Sequence, residues 1–204
     1  GGAVLAARLS EDRSVSVCLI EAGGAGRSIF VRAPALVAAM VSGRPPIHNW
    51  ALKTEPQPGL NGRRGFQPRG KALGGSSAIN AMVYMRGHPG DYDEWADMGA
   101  KGWSYAQVLP YFTRTEHNED FPESVFHGAH GPINAKIVEN PNALNYAFMD
   151  ALGELQFKHC EDFNGPDPEG YGRRQGLIRD GLRESTAKCM LRPAVARGNV
   201  QVQT

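Results

Sequence analysis

The sequence predicts an α/β fold: a Rossmann-like nucleotide-binding domain, expected to be incomplete at both ends, followed by the start of an α+β domain. Three observations predict it. Gly1-Gly2 opens a small-residue helical run (Ala3, Val4, Ala6, Ala7, Leu9) that feeds a β-branched run from Val15 to Ile20, closed at once by Glu21. The stretch Pro68 to Val83 sets Gly70, Gly74 and Gly75 beside Ser76, Ser77 and Asn80 among apolar residues. From about Phe126 the chain turns to short segments broken by Gly128, Gly131, Pro132, Pro141, Gly165 and Pro166.

The first element is a helix over about 3–11 and the second a strand over 15–21. In a dinucleotide-binding βαβ unit the third fingerprint glycine permits close helix packing, and an acid about 20 residues later takes the ribose hydroxyls. Gly2 and Glu21 fit that spacing, while the first strand and the leading glycines are expected to precede residue 1. Pro45, Pro46, Pro56, Pro58 and Pro68 make the next stretch a loop, since proline removes a backbone donor and resists regular structure. Helices are expected at 76–84 and 91–98. Another starts at Ser104, where Ser-Tyr-Ala-Gln forms a capping box, and Pro110 should bend it. Leu144, Phe148, Leu152 and Leu155 recur at helical spacing over 143–156 and read as a core face. A helix at 183–188 and a strand at 199–204 close the chain.

Glycines at 70, 74 and 75 can adopt angles closed to other residues and expose bare N–H groups, so a phosphate or a flat ring can lie against the main chain. Ser76, Ser77 and Asn80 would add side-chain hydrogen bonds. The same residues also read as an ordinary glycine-rich turn with a serine helix cap.

Composition narrows the classes. With 204 residues, 41% of them hydrophobic, and a net charge of +1, the chain has room for one or two domains. It carries no basic tract of the kind that binds nucleic acid. No apolar run approaches the roughly 20 residues that span a bilayer. Cys18, Cys160 and Cys189 are odd in number and widely spaced, which fits free thiols rather than a metal site or a disulfide framework. A cytoplasmic location is expected, with peripheral attachment at the inner membrane as the alternative.

Read together, the segments resemble the glucose-methanol-choline family of flavin oxidoreductases, especially its bacterial alcohol dehydrogenase and choline dehydrogenase branch. The resemblance spans essentially the whole chain. Its carriers are Val4-Leu-Ala-Ala-Arg-Leu-Ser-Glu11, Leu19-Ile-Glu-Ala-Gly-Gly24, Asn49-Trp50, Thr54 to Arg63, the long block Pro68 to Trp95, Gly102-Trp-Ser-Tyr105, Val108-Leu-Pro-Tyr-Phe112 and Asp162-Phe-Asn-Gly165. The resemblance implies an FAD-binding domain over 1–125 with a lid loop at about 44–68, the start of a substrate-binding domain over 126–182, and a return to the FAD domain over 183–204. It implies Gly2 and Glu21 at the adenosine end of FAD, Ala72, Leu73, Gly74 and Gly75 near the pyrophosphate and flavin, and Asn80, Ala81, Met82 and Val83 along the ring. Arg69 and Lys71 would offset phosphate charge or sit at the solvated surface.

The implied reaction is oxidation of a small-molecule alcohol at its CH–OH group, with hydride moving to flavin N5 and electrons passing on to oxygen, a quinone or another acceptor. The implied base, a histidine with a second histidine or an asparagine, is expected beyond residue 204. No catalytic residue is therefore assigned within the chain. His48, His88, His117, His127, His130 and His159 sit in loops or beside Gly, Asn and Pro, and are expected at the surface or capping turns. His127 and His130 with Asp120 and Glu123 lack a regular ligand spacing, so no metal is expected. Some family members tether FAD through a histidine before the motif asparagine. Ile79 stands there, so FAD is expected to be non-covalent. Two alternatives stay open: a lyase on the same scaffold, which cleaves cyanohydrins, and a non-catalytic piece with little stability in isolation.

Overall fold

The structure, a computed structural model, describes residues 1–42 and 47–204. The start of the expected lid loop, Arg44 with Pro45 and Pro46, lies outside the described residues. The chain forms two compact units, Gly1–Met82 with Ile178–Thr204, and Val83–Leu177. This division differs from the sequence-derived boundaries near 125 and 182.

The first unit begins with helix α1 (Gly2–Leu9) and strand β1 (Val17–Ile20). Ala3, Ala6 and Ala7 are buried, because a face without bulky side chains can lie close to its neighbours. Short helices α2 (Ile29–Arg32) and α3 (Val37–Ser42) follow, then the antiparallel pair β2 (Leu52–Lys53) and β3 (Phe66–Gln67). A core cluster of Val31, Met40, Ala72, Ala78 and Ile79 sits beneath the glycine-rich stretch.

The helix expected at 76–84 does not form. A single 3₁₀ turn, Gly75–Ala78, stands in its place. Gly74 and Gly75 are left-handed, at φ +94° and +57°, and so is Met82, at +58°. The Asn80 side chain accepts from the Met82 N–H at 3.1 Å, offering the backbone an alternative to helical bonds.

The second unit contains β4 (Val83–Tyr84), α4 (Pro89–Asp97), α5 (Tyr105–Thr115), β5 (Glu116–Asn118), β6 (Ile133–Ile137), α6 (Ala143–Glu154) and β7 (Gln175–Gly176). Its four-stranded sheet runs β4-β7-β6-β5. Pairing of Val83 with Gly176 and of Tyr84 with Gln175 is what draws 83–125 into this unit. The Ser104–Gln107 capping box opens α5, which continues through Pro110. Helix α6 differs from expectation: its apolar face is exposed, with Leu144 at 79%, Phe148 at 66% and Leu155 at 70%.

The chain returns to the first unit through the hairpin β8 (Ile178–Arg179) and β9 (Leu182–Arg183), a π-helical turn at Ala187–Leu191, α7 (Arg192–Ala196) and β10 (Val200–Gln203). The helix expected at 183–188 starts later, because Arg183 is drawn inward and Thr186 is held by Ser77. Strand β10 pairs in parallel with β1, Val17 opposite Val200. No helix among the described residues is long and apolar enough to cross a membrane.

Candidate functional site

Glu21 directly follows strand β1, and its backbone N–H donates to the Gln203 carbonyl at 2.9 Å. Its carboxylate is then fixed by its own chain, Oε1 accepting from the Gly23 N–H at 2.8 Å. Gly23 is a position that sequence reasoning missed. A Cβ there would lie 2.0 Å from the Lys71 carbonyl oxygen, so only glycine lets the glycine-rich stretch cross the end of β1. The crossing is held by a bridge between Gly24 and Ala72, with the Leu73 N–H donating to the Gly24 carbonyl at 3.0 Å.

The stretch then folds back on itself. A Cβ on Gly70 would meet the Gly75 carbonyl oxygen at 2.1 Å, and the Gly70 N–H donates to Ser76 Oγ at 3.1 Å. Ser77 Oγ donates to the Gly74 carbonyl at 2.7 Å and lies 3.0 Å from Thr186 Oγ1. Arg183, only 3% exposed, donates to the carbonyls of Val31 and Asn80 at 2.9 and 2.6 Å and to Asn80 Oδ1 at 2.8 Å. Burial draws its pKa down to about 10. Ser76, Ser77 and Asn80 therefore brace the loop rather than standing free.

These constraints produce a cavity of about 370 Å³. Gly1, Gly2 and Ala3 line it from the start of α1, Leu19 to Glu21 from the end of β1, Gly74 to Ser77 from the loop, and Thr186 from above the π-helical turn. A Cβ at Gly1, Gly2 or Gly75 would meet nothing within 4 Å, so the main chain there faces open space. Among the described residues no lysine or arginine lines the cavity. Its polarity comes from the Glu21 carboxylate and from the start of α1, where free N–H groups and the helix dipole favour an anion.

The expected site residues divide accordingly. Gly2, Glu21, Gly74 and Gly75 come together. Ala72 is fully buried in the core cluster, and Leu73 lines a different cavity together with Leu191. Asn80 and Met82 face inward, Ala81 is exposed, and Val83 opens the second unit. Lys71 lies 4.5 Å from the centroid of the Trp50 ring, and Arg69 donates to the Pro68 carbonyl; neither lines the cavity.

The GMC oxidoreductase family model matches residues 10–204. This chain belongs to that family. It is 44% identical over 201 residues to an oxygen-dependent choline dehydrogenase of Sinorhizobium medicae, covering 98% of this chain and 36% of the relative. Among solved structures, pyridoxine 4-oxidase from Mesorbium loti superposes at a TM-score of 0.91 with 34% identity, over all of this chain and 40% of that one. An FAD-dependent oxidoreductase from Chaetomium thermophilum superposes at 0.88 with 28% identity, over 99% and 36%. The chain thus spans a little over a third of the length of the curated relatives it matches.

Several histidines of this GMC chain are tied into structure. His88 caps α4 by accepting from the Gly90 N–H at 3.0 Å. His127, expected at the surface, is buried in the second unit between two carboxylates: Nδ1 donates to Glu116 Oε1 at 2.9 Å and Nε2 to Asp162 Oδ2 at 2.8 Å. Arg86 Nη2 donates to the other Glu116 oxygen at 2.6 Å. Burial alone would lower the His127 pKa, but the hydrogen bonds and charges of Asp162 and Glu116 outweigh it and raise it to about 9. Burial likewise opposes ionisation of Glu116, yet bonds from His127 and Asn118 and the charge of Arg86 hold its pKa below the usual carboxylate value. His127 is an imidazolium locked in an ion network, and Asp120 instead accepts from the Ile137 N–H and from Gln175.

Proposed function

We propose that the chain is the nucleotide-binding part of an FAD-dependent oxidoreductase acting on the CH–OH group of a small alcohol of the choline class, with FAD held non-covalently. The observation that carries this reading is the convergence of Glu21, the start of α1 and the Gly74–Gly75 turn on one cavity.

Glu21 Oε1 is taken by Gly23, which leaves Oε2 to accept from ribose hydroxyls, the role an acid plays at the end of this strand. The first turn of α1 receives the diphosphate on backbone N–H groups, which explains how a dianionic group fits a cavity lined by no cationic side chain among the described residues. Gly74 and Gly75 allow main chain to approach a planar ring, and Arg183 and Ser77 fix that approach from behind. Bound FAD supplies the hydride acceptor at its N5. Ile79 is 2% exposed within the core and has no nucleophilic atom, so it forms no tether. No residue of 1–204 is assigned the proton-accepting role. The dehydrogenase and oxidase relatives support oxidation, and no observation favours the lyase. Three free thiols suit a cytoplasmic enzyme, and cell fractionation tests this against peripheral attachment.

The experiment is to purify the intact protein and record its flavin absorbance before and after anaerobic addition of choline. Bleaching is expected, acid precipitation should release the flavin into the supernatant, and Glu21→Ala should weaken FAD binding about tenfold, or about 1.4 kcal/mol. Protein that neither carries nor takes up FAD would overturn the reading, and flavin retained in the acid pellet would overturn its non-covalent part.

A further inference from the structure

The first unit holds a further cavity, of about 270 Å³, that shares no lining residue with the one at Glu21. Where the Glu21 cavity has no cationic side chain among the described residues, this one is lined by Arg27, Arg32, Arg183, Lys188 and Arg192. Only Lys188 has a carboxylate partner, Glu184. Among the described residues no acid pairs with the four arginines.

Arg183 makes the imbalance acute. Its Nε and Nη1 are spent on carbonyls, while the buried Nη2 has no hydrogen-bond partner among the described residues. A buried guanidinium without a counter-charge is unfavourable, and three further guanidinium groups around the same space repel it and one another. Arg27, Arg32 and Arg192 are exposed, so their planar donor forks are free to close on a ligand. Such forks match the oxygens of phosphate groups, with charge-assisted hydrogen bonds stronger than neutral ones. At roughly 30 Å³ per water, the space equals about nine waters, enough for a phosphate group with a substituent.

We infer that this cavity binds a phosphate-class oxyanion, as a free phosphate ester or as a lipid headgroup. The inference stands apart from the FAD reading, because the two cavities share no lining residue; Arg183, which also braces the Gly74 loop, is left unchanged in the test.

The test is calorimetric titration of the flavin-loaded protein with inorganic phosphate at constant ionic strength, against the double variant Arg32→Gln/Arg192→Gln. A single saturable site is expected in the parent, weakened at least tenfold in the double variant, with melting temperature and flavin absorbance unchanged. Arg27→Gln alone should weaken it severalfold, and provides a second reading should the double variant misfold. Absence of phosphate binding beyond a chloride control, or equal affinity in the variants, overturns the inference. Co-sedimentation with vesicles of phosphatidylcholine and phosphatidylglycerol separates the sources. Sedimentation lost in the double variant assigns a lipid headgroup; a calorimetric site with no variant-sensitive sedimentation assigns a soluble phosphate ester.

Discussion

In the first unit the segment from Gly70 to Ser77 takes its path from atoms that its residues lack, whereas in the second the backbone around Glu116 and Gly128 is held by side chains that carry full charges. Gly23 and Gly70 leave room for a carbonyl where a methyl group would collide. Arg86, Glu116, His127 and Asp162 instead form a buried chain of ion pairs. The first device clears space beside a cavity; the second fills its interior. That difference teaches where each unit tolerates change.

The sharpest way to break the comparison is Glu116→Ala. It leaves Arg86 and His127 buried without their shared counter-charge, and should destabilise the second unit by about 3–5 kcal/mol; chemical denaturation measures it, and a loss below about 1 kcal/mol would mean the network is decorative. Next comes Gly23→Ala, whose added carbon meets the Lys71 carbonyl oxygen at 2.0 Å. A loss of about 3 kcal/mol, the upper end for overpacking, is expected, together with weakened FAD binding as the crossing shifts.

The network also predicts a pH response. His127 has a folded pKa of about 9 against an ordinary 6.5, so the protonated, bonded form stabilises the native state fully below about pH 6.5. That contribution declines as pH rises and is gone once pH passes about 9. The melting temperature should therefore fall between pH 7 and 9.5, and His127→Gln should flatten the profile; an unchanged slope in the variant would assign the response to another group. The smallest effects separate the glycines themselves. Gly75→Ala places alanine at φ +57° and should destabilise by about 1 kcal/mol, while Gly24→Ala, with open space around its Cβ and no positive φ, should stay within about 0.5 kcal/mol.

The same contrast explains what could be read in advance. Gly2, Glu21, Gly74 and Gly75 are legible because absent side chains and a strand-terminal acid have local spacing. The family resemblance extends that reading to the whole fold. Gly23 was hidden in a Gly-Gly pair whose collision partner is Lys71, far along the chain. His127 looked like a loop residue beside Gly128, since its partners Glu116 and Asp162 stand 11 and 35 residues away in the sequence. The apolar spacing of α6 is real, but periodicity reports which residues share a face and not what covers it. The false helix at 76–84 arose because apolar and small residues mask the left-handed angles at Gly74, Gly75 and Met82.

Strand β1 is completed by β10, Val17 opposite Val200, and the loop at Gly74 is pinned by Thr186 and Arg183. During synthesis on the ribosome, residues 1–82 must therefore wait while the whole of 83–177 emerges. The later-born unit draws on contacts within its own span and can condense first, leaving the cavity beside Glu21 as the later step of folding.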